Sequence, residues 1–190
     1  MAKSKKSGSA IFMYCVIGVA VAVSVVCFTL YLANVSKNAV ILWTGIVAFT
    51  IMYHLWMRLI MGNVNKLFNI KYTQWWFKER AFEKKLYKFL RVKKWKGKAL
   101  TYNPELYSVK DNSFEDIANT TAKSETDHWI NELISLSTVL FSIWWGAFWI
   151  FFVTAIIAML FDAQFIVIQR YNRPRLVRMI EREKKRLVTV

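Results

Sequence analysis

Charge is absent from residue 11 through residue 35, an apolar run of about 25 residues. At 1.5 Å per residue this is enough for a hydrocarbon core of roughly 30 Å. A second run, 39–61, follows after the short connection Asn34-Val35-Ser36-Lys37-Asn38. The pattern predicts two transmembrane helices joined as a hairpin, with Gly18, Ala22, Gly45 and Ala48 as small surfaces for close packing. Lys3, Lys5 and Lys6 precede the first run, as in a signal peptide. The run is far longer than the usual 7–15 apolar residues of a cleavable signal and no small-x-small site follows it, so a retained helix is expected. A third apolar region, 129–169, would make a helix of about 60 Å, twice a bilayer core. Two crossings are therefore expected there, bending near Trp144-Trp145-Gly146; a single over-long tilted helix is the alternative.

Between the hairpins the pattern changes. Phe82, Leu86, Phe89 and Leu90 recur at helical spacing, flanked by Lys84, Lys85, Lys88 and Arg91. This predicts a basic interfacial helix over 78–98, its apolar stripe in the headgroup layer and its cations on anionic headgroups. The expected fold is all-α and polytopic, about four transmembrane helices as two hairpins with that interfacial helix between them. Its parts are a basic N-terminus (1–10), hairpin one (11–62), an amphipathic segment (63–128), hairpin two (129–169) and a basic tail (170–190).

Composition agrees. The 190 residues are 56% hydrophobic, above the 45–50% usual for a soluble domain, and mean hydropathy is +0.27. Lys and Arg outnumber Asp and Glu 27 to 12. Such a balance suits nucleic acid or an anionic membrane surface, and the apolar runs decide for the membrane. Nucleic acid is not an expected partner; membrane lipids are, and a homo-oligomer is compatible with the pattern. Residues 58–98 hold thirteen basic residues and 170–190 hold eight, whereas the 34–38 turn has only Lys37 and 144–147 none. Four crossings put every basic segment on one side, which the positive-inside rule makes cytoplasmic. A multi-pass protein of the cell membrane with both termini cytoplasmic follows. Cys15 and Cys27 lie about 120° apart on one helix and form neither a disulfide framework nor a metal pattern; no metal is expected.

Candidate chemistry gathers in three places. Glu125 and His128, with Glu132 one turn on, share a helix face. A carboxylate can fix the imidazole tautomer and leave the other ring nitrogen to take a proton from an alcohol; a solvated helix start with acids at its positive end is the plain alternative. Glu132 and Asp162 fall inside apolar stretches, where a carboxylate needs a partner, and Gln164, Gln169 and Arg170 are candidates for Asp162. Gln169-Arg170-Tyr171-Asn172-Arg173-Pro174-Arg175-Leu176 is the densest polar cluster, suited to phosphate or carboxylate or to anchoring at a membrane edge. No P-loop, dinucleotide fingerprint or Gly-x-Ser-x-Gly elbow occurs. The His-x4-Asp spacing of glycerolipid acyltransferases is absent too, position 133 being Leu.

Glu125-x-x-His128-Trp129, Val92-Lys93-Lys94-Trp95-Lys96 and above all the 169–176 cluster resemble the glycosyl-4,4'-diaponeurosporenoate acyltransferase family, small bacterial membrane enzymes of staphyloxanthin-type carotenoid synthesis. The resemblance covers roughly residues 78–180. It departs where Ala81-Phe82-Glu83 stands for the family's Trp-Glu-x-x-Gly and Asp162-Ala163-Gln164 for its Asn-x-Pro. It implies transfer of a fatty acyl group to a hydroxyl of a glycolipid or isoprenoid acceptor, with acyl-CoA as co-substrate and no bound cofactor. His128 would then be the general base and Glu125 its orienter. Gln169, Arg170, Tyr171, Asn172, Arg173 and Arg175 would hold an anionic donor, with Trp95, Lys96 and Trp129 lining the same mouth. A non-enzymatic lipid-transport or assembly subunit is the other class that this pattern fits.

Overall fold

Helix α1 spans Gly8–Leu32 and α2 spans Ala39–Val64 in the computed structural model, which describes residues 8–64, 67–99 and 104–188. Lys3, Lys5 and Lys6 lie outside the described residues. The turn between the helices is built by its asparagines. Asn34 takes the left-handed conformation (φ 60°) just past α1, a position where Asn is tolerated because its short side chain bonds locally. The Asn38 side chain then accepts from the Val40 amide at 2.8 Å and caps α2.

Seven helices follow one another in the described residues, among which there is no strand: α3 is Glu83–Phe89, α4 Val92–Trp95, α5 Phe114–Ser137, α6 Ser142–Trp145 and α7 Phe148–Val188. Three of them, α1, α2 and α7, are long and apolar enough to cross a membrane. The bend expected near 144–146 is a true break. Gly146 (φ 68°) and Ala147 (φ 51°) both have positive φ, which ends α6 and excludes one unbroken helix over 129–169. The part before the break is not one α-helix: α5 gives way to a 3₁₀ turn at Thr138–Phe141 and then to α6.

The described chain divides into two compact units. The first holds α1, α2 and residues 131–160. Its hydroxyls return to the helix backbone, as apolar surroundings require: Ser24 donates to the Ala20 carbonyl, Thr50 to Ile46 and Val47. Gly45 brings α2 against α1, where an added Cβ would stand 3.0 Å from the Phe28 ring. Gly18 meets nothing within 4 Å and Ala22 is exposed, so small size alone does not mark the contact. Phe28, Phe49, Tyr53, Phe141 and Trp145 form one aromatic cluster, pinned by a 2.9 Å bond between the Tyr53 and Ser137 hydroxyls.

The second unit holds residues 64–130 and those from 161 onward. Here α5 and α7 run antiparallel, and a ladder of polar contacts proves the register. Going down α5 and up α7, Glu115 meets Lys184, Thr121 meets Arg173, Ser124 meets Gln169, Glu125 meets Arg170 and His128 meets Asp162. The expected interfacial helix over 78–98 is two short helices, α3 and α4. Arg91, left-handed at φ 51°, separates them. The facing of α3 has its own logic. Glu83 and Tyr87 are buried, whereas Phe82 and Phe89 are 58% and 82% exposed. Phe82 and Phe89 point outward beside the exposed Lys84, Lys85 and Lys88, while Glu83 and Tyr87 point inward, as for a segment laid against lipid.

Candidate active site

His128 lies on α5, seven residues after Thr121 and three after Glu125, so all three face α7. The ring does not turn to Glu125. His128 Nδ1 lies 2.7 Å from Asp162 Oδ1, thirty-four residues away on α7. The carboxylate is 1% exposed and the His128 side chain 20%, so Asp162 is sealed while the imidazole keeps an open edge. Phe165, one turn beyond Asp162, stacks flat on the ring (4.7 Å between centroids, 9° between planes). The aspartate accepts from Nδ1–H, which fixes the tautomer and leaves Nε2 as the basic nitrogen.

Glu125 serves another purpose, and its expected role as orienter of His128 is corrected. Its carboxylate is fully buried between two arginines. Oε1 accepts from Arg170 Nη1 at 2.6 Å, and Oε2 faces Arg173 Nη2 at 2.6 Å. Arg170 also donates through Nε and Nη2 to Glu83 Oε1 at 3.0 and 2.6 Å. Arg173 donates to the Thr121 hydroxyl and carbonyl and to the Phe77 carbonyl, with its guanidinium over the Phe77 ring. Two arginines and two glutamates make a neutral lattice that ties residues 76–78 and α3 to the α5–α7 pair. Burial pushes the Tyr87 phenol well above its usual value, and its hydrogen bond to Glu83 adds to this. Arg170 and Arg173, expected to hold an anionic donor, have their forks occupied by carboxylates of this chain.

The remaining residues of the 169–176 cluster divide in two. Gln169 points into α5, donating to Ser124 Oγ and Tyr107 OH. Tyr171, Asn172 and Arg175 instead line a cleft of about 620 Å³ with α3 and α4. Lys96 donates to Asn172 Oδ1 at 2.6 Å and sits 4.7 Å from the centre of the Tyr171 ring. Burial, then the charge of Arg175, lowers its ammonium pKa. Trp95 does not enter a common mouth; its indole N–H bonds the Leu90 carbonyl and fixes the α3–α4 turn. Trp129 packs edge-on against Trp76 and points its N–H at Glu125, 3.4 Å away. Glu132 is buried on α5 in the first unit.

The partner of one residue, Asp162, and the role of another, Glu83, escaped the sequence reading. Asp162 carried the right signal, a carboxylate in an apolar run, but its partner lay on a helix that spacing along α7 cannot reveal. Glu83 carried a weaker one, as one of two acids among thirteen cations over 58–98.

Residues 73–182, which include both the dyad and the lattice, match the family described as glycosyl-4,4'-diaponeurosporenoate acyltransferase. Proteins of that name from Staphylococcus aureus strains N315 and USA300 are each 30% identical over 155 residues, covering 73% of this chain and 90% of theirs. No solved structure matches the chain. With more than half of its length matched, and nearly the whole of these relatives covered, the chain belongs to the glycosyl-4,4'-diaponeurosporenoate acyltransferase family.

Proposed function

We propose that this acyltransferase moves a fatty acyl group from a thioester donor onto a hydroxyl of a glycosylated isoprenoid or other glycolipid held in the membrane, with His128 as general base and Asp162 as its orienter. The observation that carries the reading is the sealed 2.7 Å contact between His128 Nδ1 and Asp162 Oδ1. A hydroxyl is a poor nucleophile until its proton is removed. His128 Nε2 takes that proton as the oxygen attacks the thioester carbonyl, and the tetrahedral intermediate collapses with loss of thiolate. The imidazolium then returns the proton to the leaving sulfur, and Asp162 stabilises the charged ring meanwhile. The acceptor class is supported by the names of the relatives, which are acyltransferases of glycosyl-4,4'-diaponeurosporenoate. The resemblance places Asn at position 162, and an amide oxygen accepts from Nδ1–H as a carboxylate does.

The reading places the protein in the cell membrane with both termini cytoplasmic. Residues 129–145 form a fourth crossing, made from the end of α5, the 3₁₀ turn and α6, which keeps all the basic segments on one face. The outward phenylalanines of α3 then rest in the headgroup layer of that face, and neighbouring lysines meet anionic lipid.

The test is label transfer from radiolabelled acyl thioesters to total membrane lipid. His128→Ala and Asp162→Ala should each lose about 10²–10⁴-fold in rate, the usual contribution of a positioned base, with protein level unchanged. Asp162→Asn, which keeps the acceptor oxygen, should retain more activity than Asp162→Ala. Full activity in the His128 variant would end this mechanism.

A further inference from the structure

The cleft between α3, α4 and the C-terminal part of α7 takes no part in the proton transfer above, yet its composition is extreme. Among the described residues eight basic side chains line it, including Lys84, Lys88, Arg91, Lys96, Arg175 and Arg178, and Glu79 is the single carboxylate. Like charges crowded into a concave surface repel one another unless an anion joins them. The backbone commits to this crowding. Arg91 stands on the cleft wall at φ 51°, a conformation that costs a non-glycine residue free energy and that concentrates at functional sites. Lys96 is not a loose surface lysine, being held by Asn172 and the Tyr171 ring.

Position narrows the ligand. Arg175 and Arg178 follow Asp162 by 13 and 16 residues on one continuous helix, which separates them from the dyad by ~20–24 Å along the axis. We infer that the cleft binds the phosphates of a coenzyme A thioester, which serves as the acyl donor; the assignment rests on the acyl-transfer reading of the His128 site. In that donor an extended pantetheine arm separates the diphosphate and 3'-phosphate from the reacting carbonyl, so that phosphates in the cleft leave the thioester free to reach His128. A phospholipid also offers phosphate, but only a few bonds from its esters, too close for this separation. A concave pocket of about 620 Å³ fits a nucleotide and not the convex surface of a folded acidic carrier protein.

Calorimetric titration of the full-length protein in phosphatidylcholine nanodiscs tests this, with coenzyme A, 3'-dephospho-coenzyme A and holo acyl carrier protein as probes. Coenzyme A should bind at one site, and its affinity should fall with salt. Loss of the 3'-phosphate should weaken it about tenfold, and Lys88→Gln and Arg178→Gln should each do the same, as expected for a charged hydrogen bond removed. Lys110→Gln, an exposed lysine elsewhere, should bind as wild type. Absence of coenzyme A binding, unchanged binding in the Lys88 and Arg178 variants, or tighter binding of the carrier protein would each overturn the assignment. So would nanodiscs containing phosphatidylglycerol that displace coenzyme A. The two readings fail separately. Lipid acylation from a carrier-protein thioester, with coenzyme A ignored, removes the cleft assignment and leaves the acyl-transfer reading standing. Cleft-dependent coenzyme A binding without acylation of any lipid leaves the phosphate site standing but removes the acyl-transfer reading and, with it, the donor role.

Discussion

Glu125→Gln separates a structural carboxylate from a catalytic one. The substitution keeps the shape of the side chain and removes a buried charge that two arginines share, each at 2.6 Å. Arg170 retains Glu83. Arg173, only 2% exposed, is left with Thr121 and one carbonyl, an uncompensated buried cation. Breaking a buried pair from one side costs about 3–5 kcal/mol, and a protein of this size loses about 2–4 °C of midpoint per kcal/mol. The unfolding midpoint in detergent, followed by tryptophan fluorescence, should therefore fall by on the order of 10 °C. Adding Arg173→Met, which removes the stranded charge, should recover part of that loss, whereas additive losses would mean that the two groups do not interact. Activity per folded molecule should stay within a few-fold of wild type at temperatures where the variant is folded. A Glu125→Gln protein that melts as wild type but is as inactive as His128→Ala would refute this division of labour and return Glu125 to the reaction centre.

Three further outcomes are expected. Cysteine-accessibility labelling from outside the cell should reach single cysteines at Lys37 and Ala147 in a Cys15→Ser, Cys27→Ser background, but not one at Arg186; external labelling of Arg186→Cys would overturn the topology. A nitroxide at Phe89→Cys should be relaxed more by oxygen than by a water-soluble nickel complex in nanodiscs, as an outward apolar edge in lipid requires; the opposite order places α3 in water. Tyr87→Phe, which deletes the 2.8 Å bond to Glu83 Oε2, should cost about 1.5–3 kcal/mol by thermal unfolding, and a change below about 0.5 kcal/mol would show that Glu83 is held by Arg170 alone.

The parts of this molecule that were legible in its sequence are those where one residue's neighbours along the chain settle its environment. Hydropathy and length placed α1 and α2 to within a few residues, and Gly146 marked the break before α7. What spacing could not supply was the identity of the helix across the way. The i, i+3 interval correctly put Glu125 and His128 on one face, but a shared face says only that both look at the same neighbour. That neighbour is α7, which offers each a different partner, Arg170 with Arg173 to one and Asp162 to the other. The internal partners of Arg170 and Arg173 were hidden for the same reason. Forks suited to a foreign carboxylate or phosphate suit an internal carboxylate equally, and Glu83 lies 87 residues upstream of Arg170. The continuous amphipathic helix over 78–98 was lost at Arg91, whose left-handed turn leaves no mark in hydrophobic periodicity.

Because α7 is unbroken from residue 148 to 188, its working residues are set by phase as much as by identity. Asp162 and Arg173 are eleven residues apart, close to three whole turns, so both address α5. One residue inserted between them would swing every later side chain by about 100° and move each ladder partner off its rung at once. The interval from 162 to 178 is thus fixed in length, like the spacing of teeth on a gear. Residues 108–112 precede α5 as a turn outside any helix and carry no helical phase, so gain or loss of residues should be tolerated there. In laboratory evolution, insertions surviving selection for activity should accumulate in that turn and be missing from the interval, irrespective of which amino acid is added.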